Sequence, residues 1–135
     1  MINILLIEDD VLDQMEVQRV LNKRSIPYNM SIAPNGEVAL AILKEKNNSN
    51  GLPDIILLDL NMPKMSGMEA IPYFRSQFPS CPVIVLTGAG TVDRATTLFK
   101  QGVMEFLTKP IDKDKLLGAV KKAMTEGGWK DDFRT

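Results

Sequence analysis

Four segments of the 135-residue chain place chemically capable side chains directly after apolar runs. Glu8-Asp9-Asp10 follows Ile4-Leu-Leu-Ile7, and Asp59 ends Ile55-Ile-Leu-Leu58. Thr87-Gly88 follows Val83-Ile-Val-Leu86, and Thr108-Lys109-Pro110 follows Val103-Met-Glu-Phe-Leu107. If the first and third of the elements that carry these residues are neighbours, at least three carboxylates converge. Bare, they would repel strongly enough to protonate one of them. Mg²⁺ suits an all-oxygen ligand set and keeps several waters. Three carboxylates (−3), one Mg²⁺ (+2) and Lys109 (+1) sum to zero, so a charge-balanced metal site is expected.

Composition narrows the chemistry further. The chain has no histidine and one cysteine, Cys81. That removes Ser/His and Cys/His nucleophile pairs, imidazole and Cys-only zinc sites, and internal disulfides. With 16 basic and 17 acidic residues the net charge is −1, so bulk charge draws the chain neither to nucleic acid nor to an anionic membrane. No run approaches the ~18 apolar residues of a membrane span. The acidic triplet after Ile7 makes the N-terminus a poor signal peptide, and a cytoplasmic protein is expected.

The elements that must position these residues are legible as well. The four unbroken or nearly unbroken apolar runs read as strands buried on both faces, as in a parallel sheet. Tyr28 to Ala33 reads as a fifth, edge strand. Helical spacing appears between them: Val17, Val20 and Leu21, then Val38, Ile42 and Leu43, then Val92, Ala95, Leu98 and Phe99, and finally Leu116, Val120, Ala123 and Met124. Asn35 is placed to cap the second helix, and Ser66 with Glu69 forms a capping box for a third. Gly102 and Gly127 sit where helix C-caps belong. Pro72 falls inside the third helix, where a lost N–H and a ring clash cost about 3 kcal/mol, so a kink or a late start is expected there. Alternating β and α elements specify a doubly wound α/β domain with helices on both faces. Ligands then bind beyond the carboxyl ends of the strands. That is the rim where Glu8, Asp59, Thr87 and Lys109 fall.

The fragments Leu5-Leu-Ile-Glu-Asp-Asp10, Asp54 to Gly67, Val83-Ile-Val-Leu-Thr87 and Phe106-Leu-Thr-Lys-Pro110, in this order and spacing, resemble the receiver domain of two-component response regulators. The resemblance runs from residue 2 to about residue 124. It implies a five-stranded parallel (βα)5 sheet of order 2-1-3-4-5, a receiver domain over residues 1–125 and a tail over 126–135, and a cis peptide at Lys109-Pro110. It also implies Asp59 as phosphoacceptor, with Glu8, Asp9, Asp59 and the backbone carbonyl of Asn61 holding Mg²⁺. Thr87 and Lys109 would bind the phosphoryl oxygens, Asp59 and Lys109 would be the catalytic pair, and Phe106 would be the aromatic switch. A carboxylate attacks phosphorus without needing a base, which suits a chain lacking histidine.

The implied partners are a sensor histidine kinase or a histidine phosphotransfer protein, and an output partner the sequence does not name. That output partner would bind the surface around the fourth helix, fifth strand and fifth helix. A phosphorylation-dependent dimer is compatible with the resemblance, direct nucleic-acid or membrane binding is not expected, and the only catalysis expected is of the domain's own phosphorylation and dephosphorylation.

Two other classes fit parts of the pattern. A Mg²⁺-dependent aspartyl-phosphate phosphohydrolase would need an acid/base two residues after the nucleophile, where Asn61 cannot shuttle a proton. A phosphate-independent adaptor would ordinarily have lost an acidic residue or the lysine, and none is missing. Gly88-Ala-Gly90 lacks the third glycine of a dinucleotide fingerprint, Asp93 standing there. Ala89, two residues after Thr87, offers no polar group to orient a hydrolytic water. Lys113, Lys115, Lys121 and Lys122 read as a solvated face, Asp10 as a cap, and Cys81 as an inert thiol.

Overall fold

The computed structural model describes residues 1–23, 27–49, 51–60, 67–88 and 99–126. Asn61, the Ser66 cap, Ala89, Gly90, most of the fourth expected helix, Gly127 and the rest of the C-terminal tail lie outside the described residues. The chain alternates β1 (Ile2–Ile7), α1 (Val11–Lys23), β2 (Tyr28–Ala33), α2 (Gly36–Asn48), β3 (Ile55–Asp59), α3 (Gly67–Gln77), β4 (Val83–Thr87), β5 (Glu105–Thr108) and α4 (Lys113–Glu126). The five strands form one parallel sheet in the order β2-β1-β3-β4-β5.

Side chains alternate across a strand, so each central strand feeds two cores. Leu5, Ile7, Ile56, Leu58, Val83 and Val85 pack on one face with Ala39 and Leu43 of α2 and Ile71 and Phe74 of α3. Ile4, Leu6, Ile55, Leu57, Ile84 and Leu86 pack on the other with Val17, Val20 and Leu21 of α1 and Leu116, Val120, Ala123 and Met124 of α4. Continuous apolar runs are therefore what a sheet covered on both sides requires. β2, with a neighbour on one side only, is mostly half-exposed.

Three helix starts are fixed by side-chain caps that take up otherwise orphaned N–H groups. Asp10 Oδ1 accepts from the Leu12 and Asp13 amides at 2.8 and 3.4 Å. Asn35 Oδ1 accepts from Val38 N at 2.9 Å. Asp112 Oδ1 accepts from Asp114 N and Lys115 N at 2.9 and 3.2 Å. Gly102 adopts φ 95°, and a Cβ there would stand 3.0 Å from Arg75 Nε, so both conformation and space call for glycine.

Three expectations are corrected. α3 begins at Gly67 and runs through Pro72 to Gln77, so it does not start late. Pro72 is exposed, while Ile71 and Phe74 beside it are fully buried, and their burial offsets the backbone hydrogen bond that proline cannot make. Val38 is 38 % exposed rather than core, because the buried stripe of α2 runs through Ala39 and Leu43, four residues apart. β5 covers residues 105–108 and not 103–107. The turn at Gly102 leads into Val103, which is buried ahead of the strand, and Met104 N already bonds Val83 O at 2.9 Å. Among the described residues, no helix is long and apolar enough to cross a membrane.

Candidate functional site

The sheet register gathers the four predicted segments on one rim. Ile7 pairs with Leu58, Asp59 with Leu86, and Thr87 with Thr108, so the residues that follow or end these strands emerge together. Glu8, Asp59 and Thr87 are the buried polar side chains among the described residues, each at most 2 % exposed. Burial of such groups is tolerated only when they are hydrogen-bonded or paired, and Lys109 supplies much of that pairing. Its Nζ lies 2.7 Å from Asp13 Oδ2, 3.0 Å from Glu8 Oε1 and 3.1 Å from Asp59 Oδ2.

The backbone around these groups is tied down. Lys109 N donates to Thr87 O at 2.6 Å, and Glu8 N donates to Ala33 O at 2.9 Å. Gln14 Nε2 donates to Glu8 O at 2.8 Å, linking α1 to the end of β1. The Lys109-Pro110 peptide is cis, as expected. Phe106 is half-buried against the core shared with α2 and α3, and it pairs in register with Val85, two residues before Thr87. Thr87 and Phe106 therefore lie on the same face of the sheet.

The electrostatics fit a site short of positive charge. Burial, then the hydrogen bond and negative charge of Asp59, push the Glu8 carboxyl up to about 8, only partly opposed by Lys109. Burial by itself would lower Lys109, but its hydrogen bonds to Asp13, Glu8 and Asp59 outweigh that and hold the ammonium above its usual range. With all three carboxyls ionised, they and one ammonium leave −2, the charge a divalent cation neutralises. Oxygen atoms of Glu8, Asp13 and Asp59 all lie within 4.8 Å of one another. An all-oxygen donor set of this charge fits a hard cation such as Mg²⁺.

One member of this cluster was not anticipated. Asp13, in the first turn of α1, stands with Glu8 and Asp59, whereas Asp9 is exposed and outside the group. The signal available in the sequence was a carboxylate one helical turn beyond an acidic strand end, a position that the N-terminal end of the helix dipole also favours. Asp10 serves as the α1 cap. Cys81 is buried, its Sγ bonds Pro53 O at 3.4 Å, and burial raises its thiol, in keeping with an inert role. Lys113, Lys115, Lys121 and Lys122 are solvent-exposed, with Lys122 paired to Glu105 at 3.5 Å.

The comparisons with known proteins agree with this arrangement. The family model for the response regulator receiver domain matches residues 4–121. The transcriptional regulatory protein ZraR of Klebsiella oxytoca is 32 % identical over 123 residues, which is 91 % of this chain and 26 % of that protein. The transcriptional regulatory protein GlrR of Escherichia coli K12 is 34 % identical over 107 residues, 79 % of this chain and 23 % of that protein. The chain thus spans about a quarter of the length of these curated relatives. A response regulator receiver domain from Clostridium thermocellum superposes with a TM-score of 0.83 at 29 % identity, covering 95 % of this chain and 98 % of that one. The Mn²⁺-bound form of the response regulator Rcp1 superposes at 0.74 and 31 % identity, covering 93 % of each chain. A parallel sheet of order 2-1-3-4-5, an acidic cluster closed by a lysine at its carboxyl rim, and a family match over most of its length together place this chain in the response regulator receiver domain family, a family of two-component signalling domains.

Proposed function

We propose that residues 1–125 form a cytoplasmic receiver whose Asp59 accepts a phosphoryl group from a sensor histidine kinase or histidine phosphotransfer protein. The observation that carries this is the buried Asp59 carboxylate at the end of an apolar strand, 3.1 Å from the Lys109 ammonium and clustered with a second buried carboxylate. Asp59 attacks phosphorus through a carboxylate oxygen; the bond to the donor's leaving group breaks, and no proton need be removed first. Glu8, Asp59 and the exposed Asp9 would hold Mg²⁺ together with the Asn61 carbonyl. When bound, that ion supplies charge neutralisation and alignment for the transferring group. Rcp1, similar in sequence and fold, has been solved with Mn²⁺. Lys109 and Thr87 donate to the phosphoryl oxygens, so their bonds gain strength only once the group arrives.

Drawing the Thr87 hydroxyl toward the new anion opens space beside it, and Phe106 on the same sheet face turns in. The surface that changes is that of the segment before β5, β5 itself and α4, which carries the output. Charge-assisted hydrogen bonds contribute about 1.5 to 3 kcal/mol each. Moving a population from 1:99 to 99:1 takes about 5.5 kcal/mol. Two or three new contacts are therefore just sufficient, and losing one leaves the switch incomplete. The only chemistry assigned to the domain is formation and loss of its own acyl phosphate.

Intact-mass measurement after incubation with acetyl phosphate and Mg²⁺ tests the reading. One phosphoryl group per chain is expected. A gain that persists in Asp59→Ala, or in EDTA, would overturn the assignment.

A further inference from the structure

The Lys109 ammonium has three donors, and three carboxylates occupy them. Glu8 and Asp59 are buried, with side chains 1 % and 3 % exposed, and belong to the strand ends that build the phosphoacceptor site. The third partner, Asp13, differs in every respect. It comes from α1, its side chain is 35 % exposed, and it makes the shortest of the three contacts, at 2.7 Å. It also stands on a capped helical turn, the Asp10 carboxylate accepting from its amide, so it is carried by a rigid element and not by a loop.

Building on the reading of Asp59 as phosphoacceptor, we propose that Asp13 is a positioning residue that tethers Lys109 in the resting site and competes with the phosphoryl group for its ammonium. With all three donors engaged, Lys109 can bond a phosphoryl oxygen only by releasing a carboxylate. The Asp59 contact is the natural one to exchange, because the phosphoryl group is attached to that residue. An ammonium that follows the group outward from Asp59, however, moves relative to a carboxylate fixed on α1. A dication shared by Glu8 and Asp59 would weaken their hold on Lys109 and leave Asp13 its strongest remaining partner. Asp13 thereby sets how readily Lys109 is given up to the phosphoryl group, without touching that group.

The test is beryllofluoride binding in Mg²⁺, followed by calorimetry, in wild type, Asp13→Ala, Asp13→Glu, Lys109→Met and the Asp13→Ala/Lys109→Met double variant. A partly exposed ion pair is worth less than a factor of ten. Asp13→Ala is expected to bind about fivefold tighter, Asp13→Glu to return toward wild type, and Asp13→Ala to change nothing when Lys109 is already methionine. Asp13→Asn, which keeps the side-chain volume, carries the same expectation at smaller size should the alanine variant fold poorly. In metal-free protein, ¹⁵N NMR should show a Lys109 ammonium protected from water exchange in wild type and unprotected in Asp13→Ala. Weaker binding of Asp13→Ala in both backgrounds would make Asp13 a metal ligand, and tighter binding in both would make it a through-space charge. No change in binding would leave it without a role. Each of these three overturns the proposal. A wild type that does not bind beryllofluoride, or binding that survives Asp59→Ala, would instead overturn the phosphoacceptor reading.

Discussion

The two rims of the sheet handle their polar groups in opposite ways. At the amino-terminal rim, side chains bond mainly to backbone. Asp54 Oδ2 accepts from Asn3 N at 2.8 Å, and Asp54 N returns a bond to Asn3 O at 2.7 Å. Arg75 Nη1 donates to the carbonyls of Cys81 and Pro79 at 3.1 and 3.3 Å. At the carboxyl rim, Lys109 pairs side chain to side chain with Glu8, Asp13 and Asp59, and Glu8 Oε2 also accepts from Asp10 N at 3.3 Å. A group bonded to backbone cannot change partners without loosening the chain. A cluster of side chains can be re-paired by an incoming ion or phosphoryl group while the sheet beneath it stays put. The rim that can be rearranged is therefore the one expected to signal, and the other holds the fold.

Removing the ammonium should break this contrast most sharply. Lys109→Met leaves Glu8, Asp13 and Asp59 facing one another without a cation, and an uncompensated buried charge costs about 3 kcal/mol. Urea unfolding without divalent cations should show a loss of that size, recovered in Mg²⁺. The affinity for Mg²⁺ should be kept or raised, since a competing cation is gone, whereas Asp9→Asn should weaken it. Equal loss of affinity in both variants would contradict the charge balance of the site.

The opposite rim should answer with stability alone. Arg75→Ala abandons two backbone carbonyls and the side chain that lies against Gly102, a loss of about 1 to 3 kcal/mol. The same loss is expected with and without Mg²⁺, and the affinity for the ion should not move. Calorimetric titration that shows weaker Mg²⁺ binding in Arg75→Ala would erase the distinction between the rims.

A further effect lies in the pH dependence of the metal-free protein. The Glu8 carboxyl is raised on folding from 4.5 to about 8 by burial and by Asp59. Its protonated form is the one the fold favours, so its contribution to stability is full below about 4.5 and is lost as pH rises toward 8. The groups facing it, Asp59 and Lys109, stay in contact in the variant Glu8→Gln, which should flatten this decline. Denaturation midpoints between pH 4.5 and 8 that fall equally in wild type and Glu8→Gln would refute the assignment to Glu8.

Most of this architecture was legible because it rests on period and burial. The runs at Ile4, Ile55 and Val83 are apolar at every position because their strands have neighbours on both sides and helices on both faces. The rim followed, since a charged residue ending such a run has no structural reason to be there. What the sequence hid was set by partners distant along the chain. Asp13 looked like an ordinary first-turn acid until Lys109, 96 residues away, was found against it. β5 starts only after a positive-φ turn at Gly102, a glycine that lies against the side chain of Arg75 in α3. Pro72 was tolerated because Ile71 and Phe74 bury fully beside it.

The most direct test of the account is backbone ¹⁵N NMR of the wild type titrated with Mg²⁺ and then beryllofluoride. Shifts should centre on Glu8, Asp13, Asp59, Thr87 and Lys109 and spread through β5 to Phe106, while Asn3, Asp54 and Arg75 stay in place. In Thr87→Ala the shifts around Phe106 should shrink back toward Asp59. Shifts of equal size at both rims, or a pattern that persists unchanged in Asp59→Ala, would contradict it.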